Sequence, residues 1–446
     1  MRGLLFALGA AASVLSAQGL DTAMLQARLD AVAASGGGRV SVAPGIYTVA
    51  NLALRNGVEL YLEKGCVLQA STNRLDYGYP DDVRGLPSTK PTGVVIAVGV
   101  TNAALTGFGV LDGRGTCYDR VLERGKGQYP VKMRGGWGCF RALDCRGLKI
   151  DGVTMRDPVT WTCFLRRCED VTIRGLTIRA HANWNNDGLD LQVRRAVITD
   201  CDIDSEDDAL VFKTVDDGWE TGQVEVRDSV FSSSASFIKF GTETKGAFRD
   251  YEIHHCRILA REPARVNTRR SAEKDRQMGI VPAANGAMGS GGIVVAMVDG
   301  GQLERVRLHD IEIGAGVQVP IFVRLGRRRA PKAFDRTYLR DVALENITMT
   351  APAASRVASS VTGVPGLEAE NVTLRNISFI LPGGGTPTEA AATVREAETS
   401  YPSAIATFKS VLPAHGLFTR HVKNFKAENI TCRLLSPDAR PAEKHE

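Results

Sequence analysis

Two short stretches of this chain hold residues equipped for acid–base chemistry. HANWNNDGLDL (181–191) carries Asp187 and Asp190, and DSEDDALVFKT (204–214) carries Glu206, Asp207 and Asp208. Matching their apolar positions sets Asp187-Gly188-Leu189-Asp190-Leu191 over Asp208-Ala209-Leu210-Val211-Phe212, an offset of 21 residues. If that offset is one turn of a repeating structure, Asp187 and Asp208 are stacked on one outer face with Asp207 beside them. Like charges that close push at least one carboxyl pKa upward, so a protonated acid and an ionised base coexist. Hydrolysis of a glycosidic bond needs that pair. Solvated acidic turns, or an acidic cluster holding calcium, are the plainer alternatives.

Alternation along the strands places Asp190, Val211, Lys239 and Val294 in one outward column. The neighbouring column holds Gln192, Lys213, Gly241, Ala296 and Arg324. Asp190, Lys213, Lys239 and Arg324 are therefore candidates to bind a sugar, the three cations by reading an anionic group. Surface lysines on a solvated sheet would look the same. Trp161, Trp184 and Trp219 offer flat faces for sugar rings, or serve as core aromatics. His254 and His255 fall at a bend on another side, and His415-Gly416 lies far from the acids, so none is assigned to catalysis.

The elements that must position these side chains repeat along the chain. LKIDGVTM begins at 148, VTIRGLTI at 171, AVITDCDI at 196, VEVRDSVF at 224 and YEIHHCRI at 251. VRLHDIEI, VALENITM, VTLRNISF and FKAENITC follow from 306, 342, 372 and 425. The wider gaps predict a doubled turn or a long insertion. A period in this range marks a solenoid. Each copy alternates apolar and polar residues, which sends one set inward and the other outward. Each then bends at a residue such as Asp200, Asp310, Asn346, Asn376 or Asn429, types that tolerate left-handed backbone and can bond amide to amide. The expected fold is all-β: a right-handed parallel β-helix with three short strands per coil. Leu25, Leu29 and Val32 share a helical face after Asp21-Thr22, so 22–34 is read as a helix capping the N-terminal end.

Composition agrees with one large core. Hydrophobic residues make up 43% of the 446, aromatics only 6%, and Gly is abundant at 46. The net charge of +5 implies no non-specific nucleic-acid binding. Met1-Arg2 followed by an apolar run and Ser16-Ala17 reads as a signal peptide over 1–17, and hence a periplasmic or extracellular protein. No later segment is long and apolar enough to suggest a membrane span. Residues 20–432 read as a single β-helix domain, 259–290 as a long polar loop within it, and 433–446 as an irregular tail. Most of the nine cysteines occupy inward repeat positions and read as buried thiols, a bridge among Cys117, Cys139 and Cys163 being the alternative.

With these motifs in place, the chain resembles glycoside hydrolase family 28, the polygalacturonase-like β-helix enzymes. NNDGLDL is similar to the family's Asn-Thr-Asp-Gly-apolar-Asp motif and SEDDALVFKT to its Gly-Asp-Asp-small-apolar-apolar-Lys motif. The resemblance extends through DPVTWTCFLRRCEDVTIRGLTI, where Trp161 holds a familiar place, and through the first coils from GGGRVSVAPGIYTV onward. It implies an inverting glycosidase with Asp207 as general acid and Asp187 and Asp208 jointly activating water. Two departures stand out. Ser236 in SASFIKFGTET occupies the place of the family's motif His, and Val294-Val295-Ala296 occupies that of an Arg-Ile-Lys that binds a uronate carboxylate.

The reading that follows is a secreted, monomeric hydrolase of a pectic or other acidic or rhamnose-containing polysaccharide. It requires no metal or cofactor and binds neither nucleic acid nor membrane, and unmodified polygalacturonate is expected to be a poor substrate. The rivals are a β-helix polysaccharide lyase with Lys213 or Lys239 as base, and a non-catalytic carbohydrate-binding or adhesin β-helix.

Overall fold

A computed structural model of the chain describes residues 20–78, 91–117, 136–183, 185–216, 218–262, 276–329 and 336–446. The segment read as a signal peptide and Trp184 lie outside the described residues, as do residues 263–275 of the polar loop placed at 259–290.

Short parallel strands wind into a right-handed β-helix with three faces. On the first face one inward column runs Leu60, Leu105, Ile150, Ile173, Ile198, Val226, Ile253, Leu308, Leu344 and Leu374, each paired in register with the next. The second face stacks Met155, Ile178, Ile203, Phe231, Ile258 and Ile313 in the same way. Inward on the third are Cys163, Leu189, Leu210, Ile238, Ile293 and Ile321. All of these side chains are buried, and burying each stabilises the coil by roughly 1.5–3 kcal/mol. A one-residue slip would turn the column outward, so the alternation itself holds the register.

The bends follow from residue type. Asp200, Asp310, Asn346, Asn376 and Asn429 have φ of 56°, 53°, 53°, 54° and 56°. Their side chains form a ladder: Asn346 donates to Asp310 at 2.9 Å, Asn376 to Asn346 at 2.9 Å and Asn429 to Asn376 at 2.9 Å. Helix α1 (Thr22–Ala34) buries Leu25 and Leu29 against the first coil. Asp21 does not cap it with its side chain, because that carboxylate accepts the Thr48 backbone N–H at 2.7 Å instead. All nine cysteines are free thiols, so no bridge joins Cys117, Cys139 and Cys163.

The tail expected to be irregular is not. Glu443–His445 pairs in parallel with Leu417–Thr419 and completes the last rung of the third face. Arg440, buried, pairs with Asp438 and donates to the carbonyls of Val411 and Leu412. The gap between the repeats starting at 372 and 425 holds an insertion over 382–416, between strands Ala369–Leu381 and Leu417–Arg420. It lies across the outside of the third face, where Ala404, Ile405, Phe408 and Leu412 cover Val294, Ala296, Phe322 and Phe418 in a second apolar core. We refer to its 394–412 part as the strap.

Candidate active site

Each coil turns from the second face to the third through a short loop, and the acids sit in two successive loops of this kind. Gly188 donates its N–H to the Asp208 carbonyl at 2.8 Å, and Leu189, Asp190 and Leu191 pair with Leu210, Val211 and Phe212. Asp187 and Asp208 are thus one rung apart. Only glycine fits at 188, since a Cβ there would lie 2.5 Å from both the Ala209 carbonyl oxygen and Ile203 Cγ2. Buried Asn186 shapes the loop before Asp187. It accepts from the Asn183 N–H at 2.7 Å and donates to the carbonyls of Pro158 and Thr160, both at 3.1 Å. The Asp207 carbonyl accepts from Ser205 Oγ at 2.8 Å and from Ser233 Oγ at 2.7 Å, which locks the second loop.

Asp207 is held from two sides, by Asn185 Nδ2 at 2.9 Å and by the Asp208 N–H at 3.0 Å. Burial and the adjacent Asp208 charge raise its carboxyl pKa to about 6, against the opposing pull of Lys239 and Lys213. Burial and then the Asp190 charge push Asp187 well above the usual carboxylate range, and its Oδ1 has no hydrogen-bond partner among the described residues. Asp208 accepts the Ser236 N–H at 3.0 Å and is paired with Lys239 Nζ at 2.5 Å. Ser236, standing where a His was expected, therefore serves Asp208 through its backbone.

The two lysines are engaged rather than free. Lys213, 4% exposed, lies 3.4 Å from Asp187, 3.2 Å from Asp190 and 3.3 Å from Glu243, with its ammonium 3.8 Å from the Trp161 ring centre. Its three carboxylates outweigh burial and hold it firmly protonated. Lys239 is likewise held protonated, burial being outweighed by Asp208. Arg324 departs furthest from expectation. It is buried under the strap, donating to Thr362 Oγ1 at 3.1 Å and to the carbonyls of Gly363, Glu396 and Ala397 at 2.8, 2.9 and 3.1 Å. Those bonds spend its donors on the chain itself, so it faces no anionic sugar. Asp190 is fully buried beside Lys213, and burial lifts its carboxyl to about 6. Trp219 stacks with Arg194, whose Cζ is 5.3 Å from the ring centre, on the approach to the first face.

Glu243 and Tyr401 escaped the sequence reading, and Glu206 was named there without a role. Glu206 is buried behind the acids, where lost hydration and the charges of Asp207 and Asp208 raise it to about 9. Glu243, 29% exposed at its side chain, is lowered to about 2, with Lys213 overcoming the opposing effect of burial. It emerges from a break in register between Phe212 and Thr214 opposite their partners Phe240 and Thr244, which a strict period cannot foresee. Tyr401 arrives from the strap, its hydroxyl 2.9 Å from Thr242 Oγ1 and its ring centre 5.9 Å from Lys239 Nζ. Among the described residues no group of three His, Cys, Asp or Glu side chains is arranged to hold a metal ion.

The parallel β-helix thus carries stacked carboxylates in two successive loops. The model of "Glycosyl hydrolases family 28" matches residues 84–233, the segment containing both acidic loops. That match supports a glycosidase, with a sequence divergent from the family 28 structures it resembles. No curated protein matches the sequence. Among solved structures, it is similar to a hyperthermoactive exopolygalacturonase from Thermotoga maritima (TM-score 0.66, 16% identity, covering 92% of this chain and 87% of that one). It is also similar to a family 28 exopolygalacturonase from Yersinia enterocolitica (TM-score 0.62, 14% identity, 95% and 77%). The adhesin PfbA of Streptococcus pneumoniae shares the fold as well (TM-score 0.56, 11% identity, 93% and 89%). The fold alone therefore does not assign chemistry. The site does.

Proposed function

We propose that this protein is an exported hydrolase of a pectic or related acidic or rhamnose-containing polysaccharide, working by single displacement with inversion. The observation that carries the reading is the stacking of Asp187 on Asp208 one rung apart, with Asp207 beside them. Asp207, raised to about 6, is the general acid for the leaving oxygen. Asp208, paired with Lys239, is the base that activates the attacking water. Asp187, whose carboxyl burial pushes upward, orients that water through its Oδ1, which has no partner among the described residues. Elimination is disfavoured by the same geometry, since a lyase base must be neutral and both lysines are held protonated by their carboxylates. Plain polygalacturonate is expected to be cleaved poorly, because Val294 and Ala296 are apolar and, among the described residues, the candidate cations Lys213, Lys239 and Arg324 are all engaged.

Digestion of a panel of pectic and algal polysaccharides tests this reading. New reducing ends should appear without unsaturated uronates. Unsaturated products would favour elimination, and no turnover on any glycan would favour a binding protein.

The pH dependence follows from the acid. Asp207 must be protonated, so kcat/KM should fall as pH rises through about 6, by about tenfold per pH unit on the alkaline side. The apparent value belongs to the coupled cluster, Asp190 included. A profile flat from pH 5 to 8 would remove Asp207 from this role.

A further inference from the structure

The outer surface of the third face changes character two rungs beyond the acids. The column that carries Asp190, Val211 and Lys239 continues into Val294 and Phe322. Both are 1% exposed, because the strap lies on them. The contact is close: a Cβ added at Gly291 would come within 3.2 Å of the Ala404 Cβ.

The strap is built in rather than laid on. Arg324 donates to the Glu396 and Ala397 carbonyls. Arg420, also buried, donates to those of Val394 and Arg395, both at 2.8 Å. Two strands of the third face thus hold the strap backbone through guanidinium–carbonyl bonds shielded from water. Buried bonds to charged donors are costly to break, so the strap is a fixed wall and not a lid.

We propose that this wall ends the sugar-binding face on the C-terminal side of the acids, so that the enzyme cuts from a chain end, with Tyr401 packing against the terminal sugar. Tyr401 is 56% exposed although its hydroxyl is tied to Thr242. It presents an aromatic face beside Lys239, the partner of Asp208. An exposed yet pinned aromatic ring next to a reacting carboxylate is suited to a sugar's apolar face. A polysaccharide following the helix axis would have to cross Val294 and Phe322, and the strap occupies that path. This inference rests on the hydrolase reading and narrows it to end-acting cleavage.

The test uses the full-length protein with two size ladders, one of oligogalacturonides and one of rhamnogalacturonan oligosaccharides, each labelled at the reducing end. The expected result on the cleaved ladder is loss of one fixed increment, so that the first labelled product is either that same short piece at every length or the starting length less that piece. Tyr401→Ala should raise KM about 3- to 10-fold with a smaller change in kcat, and Tyr401→Phe should stay within threefold of wild type. Products of mixed length from the outset would overturn end-acting cleavage while leaving the hydrolase reading intact. An unchanged KM in Tyr401→Ala would overturn the role of Tyr401. No new reducing ends from either ladder would overturn this proposal, and the polysaccharide panel then decides separately whether the hydrolase reading falls with it.

Discussion

Asp207→Asn is expected to lower turnover by about 10²–10⁴-fold, the usual contribution of a positioned general acid. The substitution is nearly isosteric. It keeps one of the two bonds that position the side chain, from Asn185 or from the Asp208 N–H, and it removes a carboxyl whose ionisation burial resists. Folding should therefore survive, with a melting temperature near that of wild type. KM should change little, because the variant still presents Asp187, Asp208 and Tyr401. Stopped-assay kinetics beside a thermal melt separate the two effects. Turnover within threefold of wild type would remove Asp207 from the acid role.

Lys239→Met is expected to lower kcat/KM by about 10- to 100-fold, and equally on an anionic substrate and a neutral analogue. The sequence alone suggested that Lys239 reads a sugar's charge, which would make the losses unequal. In the structure its ammonium lies on Asp208 at 2.5 Å and is 4% exposed at the residue level. It is a positioning residue that holds the Asp208 side chain in place. The melting temperature should fall too, because the remaining carboxylate is buried without its partner. Unequal losses would restore the sugar-reading role.

The solenoid was legible because its physics is local and repeated. Period-2 alternation wrote the inward columns of Leu, Ile and Val, and each bend needed a residue that accepts φ near 55°, hence Asp200 and Asn346. Asp187 and Asp208 could be stacked on paper because the apolar residues around them must pair Leu189 with Leu210. What broke the period was not legible. The register shift after Phe212 brings Glu243 to Lys213, and the insertion brings Tyr401 to Lys239 across more than 150 residues of chain, as with its |i−j| = 159 bond to Thr242. Arg324 shows the limit most plainly. Alternation placed it on the outer face correctly, but whether that face meets solvent or the strap depends on a segment with no periodic signal.

The most direct test of inverting hydrolysis by Asp207 with Asp187 and Asp208 is the anomeric configuration of the first product. Digestion of the substrate found in the panel, followed by proton NMR before mutarotation, should show the new reducing end with configuration opposite to that of the bond cleaved. Retention would require a covalent glycosyl intermediate on one of these carboxylates and would contradict the account.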